Sequence, residues 1–329
     1  MLNFCTLFNS IYLTRGLVMY NSLAKHCKDF HLYIFAFDDV SYSILNELNL
    51  EKATIISLGT FENEELLSIK PTRTTAEYCW TCTPATVEYC LDTYELPSCT
   101  YIDADLLFFA DPTVLFDELG EDDSVIITDH RYTPEYDQTA TSGKYCVQFV
   151  YFKNDKQGRT VLKWWKDACI EWCYNRFEDN KFGDQKYLDD WCERFKGVHE
   201  LQHLGGGVAP WNAQQYTIST VGDRLFGKVN GTDETFDLIF YHFHDLKYCE
   251  KDAFHLGHYE LTHGHLTNIY KPYVIALKEV EKELRSISKD NLFHEIKEIP
   301  RINKSLRRMY RFHVFGHLNN YYKTRYLIK

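Results

Sequence analysis

The stretch YIDADLLFF, residues 101–109, decides the fold class of this chain. Its apolar residues indicate a strand buried on both faces, as in the parallel sheet of an α/β protein. Such a strand cannot carry two ionised carboxylates through its middle, because burying an unpaired charge is costly. Asp103 and Asp105 are therefore expected at the exposed end of the strand. Since side chains two residues apart point to the same side, both carboxylates can contact one ligand.

Two carboxylates on one side of a strand end suit a hard divalent cation, which also binds phosphate oxygens. The pattern therefore predicts a site that holds a nucleoside diphosphate through a cation. The alternative is a pair of turn residues that cap the next element.

The length and composition favour a globular protein with a large core. A chain of 329 residues suffices for one large α/β domain, or for such a domain with a tail. The eleven cysteines are scattered and odd in number, which predicts reduced thiols in a cytosol rather than a disulfide framework. Neither a secretory signal nor an apolar run long enough to span a membrane is expected.

The charge is unevenly distributed along the chain. Residues 301–329 contain eight Lys or Arg and no Asp or Glu, which leaves 28 basic and 47 acidic residues in residues 1–300. A body this acidic is not expected to bind nucleic acid. The basic residues of the tail alternate with aromatic ones, a composition typical of a segment that lies on an anionic lipid surface. The alternative is a solvated helix, or one packed against a partner.

Apolar strands alternate with amphipathic helices through the first half of the chain. Strands are predicted over residues 2–7, 31–37 and 53–58, and helices over 14–27 and 41–48. This order predicts a mostly parallel sheet with helices on both faces, whose ligands bind at the carboxyl ends of the strands. Asn9 and Asp38 follow the first two strands and are expected at that edge with Asp103.

Further elements are predicted in the remainder of the chain. A helical region over residues 62–94, interrupted at Pro71 and Pro84, carries Arg73, Glu77 and Trp80. These polar and aromatic residues either line a pocket or cap helices. Predicted next are strands over 122–128 and 144–152, helices over 158–174 and 186–195, and a hairpin of strands 225–229 and 236–241 that turns at Asn230-Gly231. A long helix is predicted from Pro272, with Val274, Leu277, Val280 and Leu284 facing inward.

Six ordered blocks carry a resemblance to a known family. They are Phe8-Asn9 with Arg15-Gly16, residues 73–80, residues 101–105, Phe182-Gly183-Asp184-Gln185, residues 205–212 and residues 240–244. In order and spacing they resemble the nucleotide-sugar-dependent glycosyltransferases of the GT-A fold, and most closely bacterial surface-polysaccharide relatives of glycosyltransferase family 8. The resemblance covers roughly residues 1–250 and implies a GT-A-like α/β domain over residues 1–270. Residues 271–329 are predicted to form a basic, aromatic, helical C-terminal extension, whose part after about residue 287 the resemblance does not cover.

The resemblance also implies the residues of the site. Asp103 and Asp105 would bind Mn²⁺ or Mg²⁺ with His242 or His244, and Asp184 and Gln185 would lie beside the reacting sugar carbon. The alternative for Asp184 is a helix N-cap. The implied nucleotide-sugar contacts are Phe8, Asn9, Arg15, Asp38, Arg73, Glu77, Trp80, Asp103 and Lys247, and the implied acceptor contacts are Trp211 and Asn212.

Two departures from the family pattern leave the stereochemistry of transfer open. Cys146-Val147-Gln148 stands where the family commonly has Asn-Ala-Gly, and no Lys-Pro-Trp follows His244. The dense histidines 255, 258, 263 and 265 match no standard zinc spacing, so a surface or packing role is expected for them.

The implied partners are a nucleotide-diphosphate sugar, with a UDP-sugar favoured, and a saccharide acceptor, which the basic tail suggests is lipid-linked. The expected location is the cytoplasm, with peripheral contact to the inner face of the cell membrane. The alternatives are a carbohydrate- or nucleotide-sugar-binding protein without turnover and a sugar-1-phosphate nucleotidylyltransferase. The second needs a glycine-rich N-terminal loop, whereas residues 7–20 contain only Gly16.

Overall fold

The computed structural model of this protein describes residues 1–289, 291–299 and 316–329. The strands are β1 Leu2–Phe8, β2 Phe30–Ala36, β3 Ala53–Ser57, β4 Ser98–Ile102, β5 Leu106–Phe108, β6 Val125–Asp129, β7 Tyr145–Lys153, β8 Val198–Glu200, β9 Tyr216–Val221, β10 Arg224–Val229, β11 Thr235–Asp237, β12 Phe240–His242, β13 Leu246–Cys249, β14 Ala253–Leu256, β15 His317–Leu318 and β16 Tyr321–Lys323. The α-helices are α1 Leu13–His26, α2 Asp39–Leu48, α3 Leu58–Phe61, α4 Glu64–Ile69, α5 Thr75–Thr93, α6 Thr139–Ser142, α7 Lys156–Glu171, α8 Trp191–Arg194, α9 His263–His265, α10 Lys271–Ile287 and α11 Thr324–Leu327.

A seven-stranded sheet confirms the expected α/β class. Its strand order is β3-β2-β1-β4-β7-β6-β8, and only β7 runs antiparallel to its neighbours. Because β1, β2 and β4 are parallel, their carboxyl ends meet at one edge of the sheet. Asn9, Asp38 and Asp103 follow these three strands, as the sequence predicts.

The alternation of side chains along the strands divides the core between the two faces of the sheet. In β1, Phe4 packs into a cluster with residues of α1 and α10, while Cys5 packs into a second cluster with residues of α5 and α7. The strand is buried from Asn3 to Phe8, and five of its seven residues are apolar, as expected for a strand covered on both faces. The four inward residues predicted for the long helix, Val274, Leu277, Val280 and Leu284, are all buried.

Three local predictions were wrong. Pro84 lies inside α5 without ending it, because packing against α7 and β1 outweighs the loss of one backbone donor. Residues 186–195 form a 3-10 turn, Lys186–Leu188, and the four-residue α8 rather than one helix. The second strand of the predicted hairpin is two strands, since β11 pairs with β10 whereas β12 leaves to pair with β5.

The C-terminal extension is helical only in part. Residues 271–287 form α10 as expected, but β16 near the end of the chain pairs with β14 and β15. Tyr322 and Lys323 thereby add to the sheet of β13 and β14 instead of continuing a helix. Residues 301–315, which carry five of the eight basic side chains of the predicted tail, lie outside the described residues.

Two further features concern membranes and thiols. Among the described residues, no helix combines the length and the apolar composition that a bilayer span requires. All eleven cysteines are free thiols.

Candidate active site

A cavity of about 680 Å³ opens at the carboxyl edge of the main sheet. Its volume falls within the range of small-molecule sites in proteins. It is lined by many of the residues that the sequence singled out, namely Phe8, Asn9, Trp80, Asp103, Asp105, Asp184, Gln185, Trp211, His242 and His244. The fold thus brings residues from six separated blocks of the chain to one place.

Three metal-ligating side chains converge in this cavity. The Nε2 atom of His242 lies 3.2 Å from Asp105 Oδ1 and 3.6 Å from Asp103 Oδ2. The pairing of β12 with β5 produces this approach, since it places His242 opposite Leu106, the residue that follows Asp105. One ligand atom from each side chain lies within 4.8 Å of the other two. We refer to Asp103, Asp105 and His242 as the acidic trio.

The charge balance of the acidic trio favours a cation. Burial would raise the pKa of Asp105, but the adjacent His242 holds it below the usual value. Burial raises the pKa of Asp103 to about 6 even though His242 opposes the shift, and repulsion from Asp105 adds to the rise. The pKa of His242 lies well above its usual value because attraction to Asp105 overcomes burial. Two carboxylates and one imidazole of this kind are suitable ligands for a divalent ion.

Gln148, on β7, orients the histidine of the trio. It is fully buried, and its Oε1 lies 2.8 Å from His242 Nδ1. Because an amide oxygen only accepts, His242 donates to Gln148 from Nδ1, and Nε2 is the ring atom that faces the carboxylates. The sequence showed Gln148 only as a departure from a family pattern. A lone amide inside an apolar strand was the signal of its role.

Only one of the two candidate histidines reaches the carboxylates. His244 lines the cavity, and its ring packs edge-on against Trp211 with 5.4 Å between the ring centroids. Burial lowers the pKa of His244 to about 4, and the positive charge of His242 lowers it further. His242 is therefore the better metal ligand of the two.

Asp184 contributes a third carboxyl group to the cavity wall. Burial raises its pKa to about 7, and repulsion from Asp103 acts in the same direction. The side chain does not act as the N-cap of the following 3-10 turn, where Gln185 occupies the cap position without a side-chain bond to the turn. The amide of Gln185 donates to the carbonyl of Ser142 at 2.7 Å, which fixes this side chain at the cavity.

Aromatic rings form much of the remaining wall. Phe8 is the last residue of β1, and Trp80 lies near the start of α5. Gly16 is required beneath Phe8, because a Cβ at that position would lie 2.5 Å from the ring. Trp211 donates from Nε1 to the carbonyl of His130 at 2.9 Å, so its ring is held in one orientation.

Asn212 does not line the cavity. It is fully buried, and its amide bonds the carbonyls of His130 and Gly207 while its oxygen accepts from the backbone of Ala209. These bonds shape the loop that presents Trp211. They occupy the polar atoms of the Asn212 side chain, so none is directed at a saccharide acceptor in the cavity.

Five of the predicted nucleotide-sugar contacts also lie outside the cavity lining. Asp38 accepts from Ser10 and caps α2 through Ser41. Arg73 lies over the ring of Tyr174, Glu77 forms the capping box of α5 with Thr74, and Lys247 pairs with Asp245. The fifth, Arg15, is 1% exposed.

Arg15 is a structural residue beneath the site. Its guanidinium donates to both oxygens of Glu295 at 2.8 and 2.6 Å and to the carbonyl of Leu246 at 2.9 Å. It also lies 4.5 Å from the ring centroid of Tyr12, a residue that lines the cavity. The sequence could not reveal this role because Glu295 is 280 residues away.

Replacing Glu295 with Ala should lower the free energy of unfolding by about 3 kcal/mol, because Arg15 would keep a buried charge without its partner. Urea denaturation measures the change. Glu283→Ala, an exposed carboxylate on α10, is the matched control and should change stability by less than about 0.5 kcal/mol. Equal losses in the two variants would contradict the structural role of Arg15.

The structure adds cavity residues that the sequence did not single out. They include Tyr12, Thr83, Tyr101, His130, Tyr132, Cys146 and Tyr259. Of these, Tyr101 donates from its hydroxyl to Asp103 Oδ1 at 3.1 Å and so positions a carboxylate of the trio. Tyr101 begins the same stretch as Asp103, and the two-residue period is the signal that places them on one side.

The fold and the site together define an α/β protein whose cavity, at the carboxyl edge of the sheet, contains two aspartates and a histidine close enough to share a metal ion. No protein-family model matches the chain. The chain is 33% identical over 297 residues to the uncharacterized protein YfnD of Bacillus subtilis (strain 168), a match that covers 88% of this chain and 92% of YfnD. This protein belongs to the same family as YfnD.

Two further similarities accompany that relationship. The uncharacterized protein YfnF of Bacillus subtilis (strain 168) is 29% identical over 291 residues, covering 86% of this chain and 94% of YfnF. Among solved structures, the apo form of mouse xyloside xylosyltransferase 1 is similar with a TM-score of 0.44 and 12% identity, covering 74% of this chain and 98% of that one.

Proposed function

We propose that this chain is a metal-dependent glycosyltransferase that moves a sugar from a nucleoside-diphosphate sugar to a glycan acceptor. The observation that carries the proposal is the convergence of Asp103, Asp105 and His242 in a cavity of about 680 Å³. The resemblance of the sequence blocks to GT-A glycosyltransferases supports the same conclusion, and it favours a UDP-sugar donor and a role in bacterial surface-polysaccharide synthesis.

The acidic trio suits the charge that sugar transfer develops. When the glycosidic bond breaks, negative charge accumulates on the diphosphate, and Mn²⁺ or Mg²⁺ bound there would neutralise that charge. Asp103 and Asp105 would supply oxygen ligands and His242 would supply Nε2, with Tyr101 and Gln148 fixing the orientation of two of these side chains. Such an arrangement costs no reorganisation at the moment of reaction.

The remaining cavity residues have roles that match their positions. Asp184 would bind hydroxyl groups of the donor sugar, and Gln185, held by Ser142, would lie beside the reacting carbon. Phe8 and Trp80 offer ring faces to the nucleotide, whereas Trp211 offers one to the acceptor.

Two measurements test this function. In a thermal-shift panel, we expect one nucleoside diphosphate to raise the melting temperature only with Mn²⁺, because a ligand of the native state stabilises it. Incubation of the matching nucleotide sugar with Mn²⁺ should then release free sugar slowly as water replaces the acceptor. Stabilisation without any release would indicate a binding protein, and pyrophosphate release from a nucleoside triphosphate would indicate a nucleotidylyltransferase.

Replacing Gln148 with Leu should weaken Mn²⁺ binding by about 10- to 100-fold, the usual effect of losing the group that orients a metal-binding histidine. Gln148→Glu keeps an acceptor for Nδ1 and should bind Mn²⁺ more tightly than the Leu variant. Electron paramagnetic resonance of free Mn²⁺ measures both. Unchanged Mn²⁺ affinity in the Leu variant would contradict the assignment of His242 as a ligand.

A lipid-linked acceptor and a peripheral membrane location remain part of the proposal, and the basic composition of residues 301–315 supports them. Replacing Arg307, Arg308 and Arg311 with Gln should weaken binding to vesicles that contain anionic lipid by roughly 100-fold, at about 1 kcal/mol per basic side chain. Vesicle co-sedimentation measures this effect. The matched control replaces the exposed Lys28, Lys156 and Lys282 with Gln, which removes the same number of charges outside the tail. Equal binding by the two triple variants would remove the membrane role.

A further inference from the structure

A second group of metal-ligating side chains lies beside the cavity. The hairpin of β13 and β14 brings Asp245, which precedes β13, close to His255 on β14 and to His258 just beyond it. One ligand atom from each of the three lies within 4.8 Å of the other two. The sequence showed these histidines without a carboxylate partner, because Asp245 is ten residues before His255 and only the hairpin brings them together.

The contacts of Asp245 leave one of its oxygens for a ligand role. Its Oδ1 pairs with Lys247 Nζ at 2.5 Å, while Oδ2 faces the Nε2 of His258 at 3.7 Å. Gly257, which lies between the two histidines in the chain, has a φ of +86°. A non-glycine residue would be strained in this conformation.

The two imidazoles differ in exposure in a way that suits an accessible metal site. His255 is buried and stacks on Tyr321 with 4.3 Å between ring centroids, so its position is fixed. The side chain of His258 is 78% exposed and its ring centroid lies 4.8 Å from that of His255. A metal ion can therefore reach the group from solvent and bind the buried histidine, the aspartate and the exposed third ligand.

We propose that Asp245, His255 and His258 form a second divalent-metal site, distinct from the acidic trio and selective for a transition metal of the zinc type. Two imidazoles and one carboxylate are a frequent zinc ligand set, and three protein ligands leave a fourth position for water or substrate. Harder ions such as Mg²⁺ prefer oxygen ligands and are expected at the acidic trio instead.

The second site lies between a segment that lines the cavity and the C-terminal strands. Tyr259, the residue after His258, lines the cavity, and so does His244, the residue before Asp245. Tyr321 belongs to β16, so the stacked His255 also touches the last strand of the chain. A metal ion held here would fix the segment that carries Tyr259 and would connect it to the C-terminal strands.

Cobalt titration of the full-length chain tests the site independently of sugar transfer. The protein carries Asp105→Asn so that the acidic trio is disabled. We expect one equivalent of Co²⁺ to produce the intense visible absorption of a four-coordinate site, and Zn²⁺ to displace it. His258→Ala in the same background should weaken Co²⁺ binding by at least about 10-fold, because even groups behind a metal ligand have effects of that size.

His263→Ala is the matched control, since His263 is an exposed histidine outside the group and should leave Co²⁺ binding unchanged. Because His258 is exposed, its replacement is not expected to unfold the chain. The proposal is overturned if the Asp105→Asn protein shows no such absorption, or if the His258 and His263 variants bind Co²⁺ equally well. Loss of sugar transfer alone would not bear on it.

Discussion

Replacing Asp105 with Asn should reduce the catalytic efficiency of sugar transfer by about 1,000-fold or more while the chain stays folded. The substitution keeps the shape of the side chain and removes the charge that binds the cation. Charge stabilisation by a bound metal is worth several kcal/mol in the transition state, and each 1.36 kcal/mol is a factor of ten in rate. Steady-state kinetics with a nucleotide sugar and Mn²⁺ measure the loss.

The fold should tolerate this change because Asn keeps the shape of the side chain, and because His242, whose pKa is raised by attraction to Asp105, can lose its proton when that charge is removed. Asp117→Asn is the matched control, since Asp117 is exposed and lies outside the cavity lining. We expect the control to retain full activity and both variants to melt cooperatively. Full activity of the Asp105 variant with the metal chelated would contradict the role of the acidic trio.

Replacing Asp184 with Asn should reduce kcat by about 100-fold or more and leave the binding of the nucleoside diphosphate unchanged. Asp184 lines the cavity apart from the trio, and its carboxyl group is proposed to contact the sugar rather than the phosphates. A contact that strengthens only in the transition state affects kcat and kcat/KM together. Kinetics give the rate, and calorimetric titration with the diphosphate gives the affinity.

Asp179→Asn is a suitable control for Asp184. Asp179 is exposed and has a φ of +50°, a conformation that Asn also adopts readily. If the Asp184 variant instead loses affinity for the diphosphate as well, the carboxyl group belongs to the phosphate site and its assignment to the sugar is wrong.

The sequence predicted the elements that depend on local pattern. The strands and helices from residue 2 to residue 57 lie within about one or two residues of their predicted bounds, because each has the hydrophobic period of its type. The edge position of Asp103 was predictable for the same reason. A buried strand excludes unpaired charge, so Asp103 must follow the strand. Because β1 pairs in parallel with β2 and β4, that position lies at the carboxyl edge of the sheet.

Residues whose partners are distant in sequence were not predictable in this way. Arg15 and Asn212 belong to blocks that resemble family motifs, and a polar residue in such a block was interpreted as a ligand contact. The structure buries both and satisfies them internally, Arg15 through Glu295 and Asn212 through His130. A sequence pattern predicts which face of a helix or strand a residue occupies. It does not predict which distant residue that side chain will contact.

The two histidines near the trio show a further limit. His242 and His244 are two residues apart and would share a side of a continuous strand. However, β12 ends at His242, and Phe243 begins a turn in which its carbonyl accepts from the backbone N–H of Leu246. The period therefore stops between them, and only His242 reaches the carboxylates.

The central claim is that one divalent ion is bound by Asp103, Asp105 and His242 against the diphosphate of a donor. The most direct test is a crystal of the chain grown with Mn²⁺ and a nucleoside diphosphate, with anomalous scattering recorded at the manganese edge. We predict an anomalous peak in contact with Asp103, Asp105, His242 Nε2 and the phosphate oxygens. A diphosphate bound in the cavity with no manganese peak among these three side chains would contradict the account.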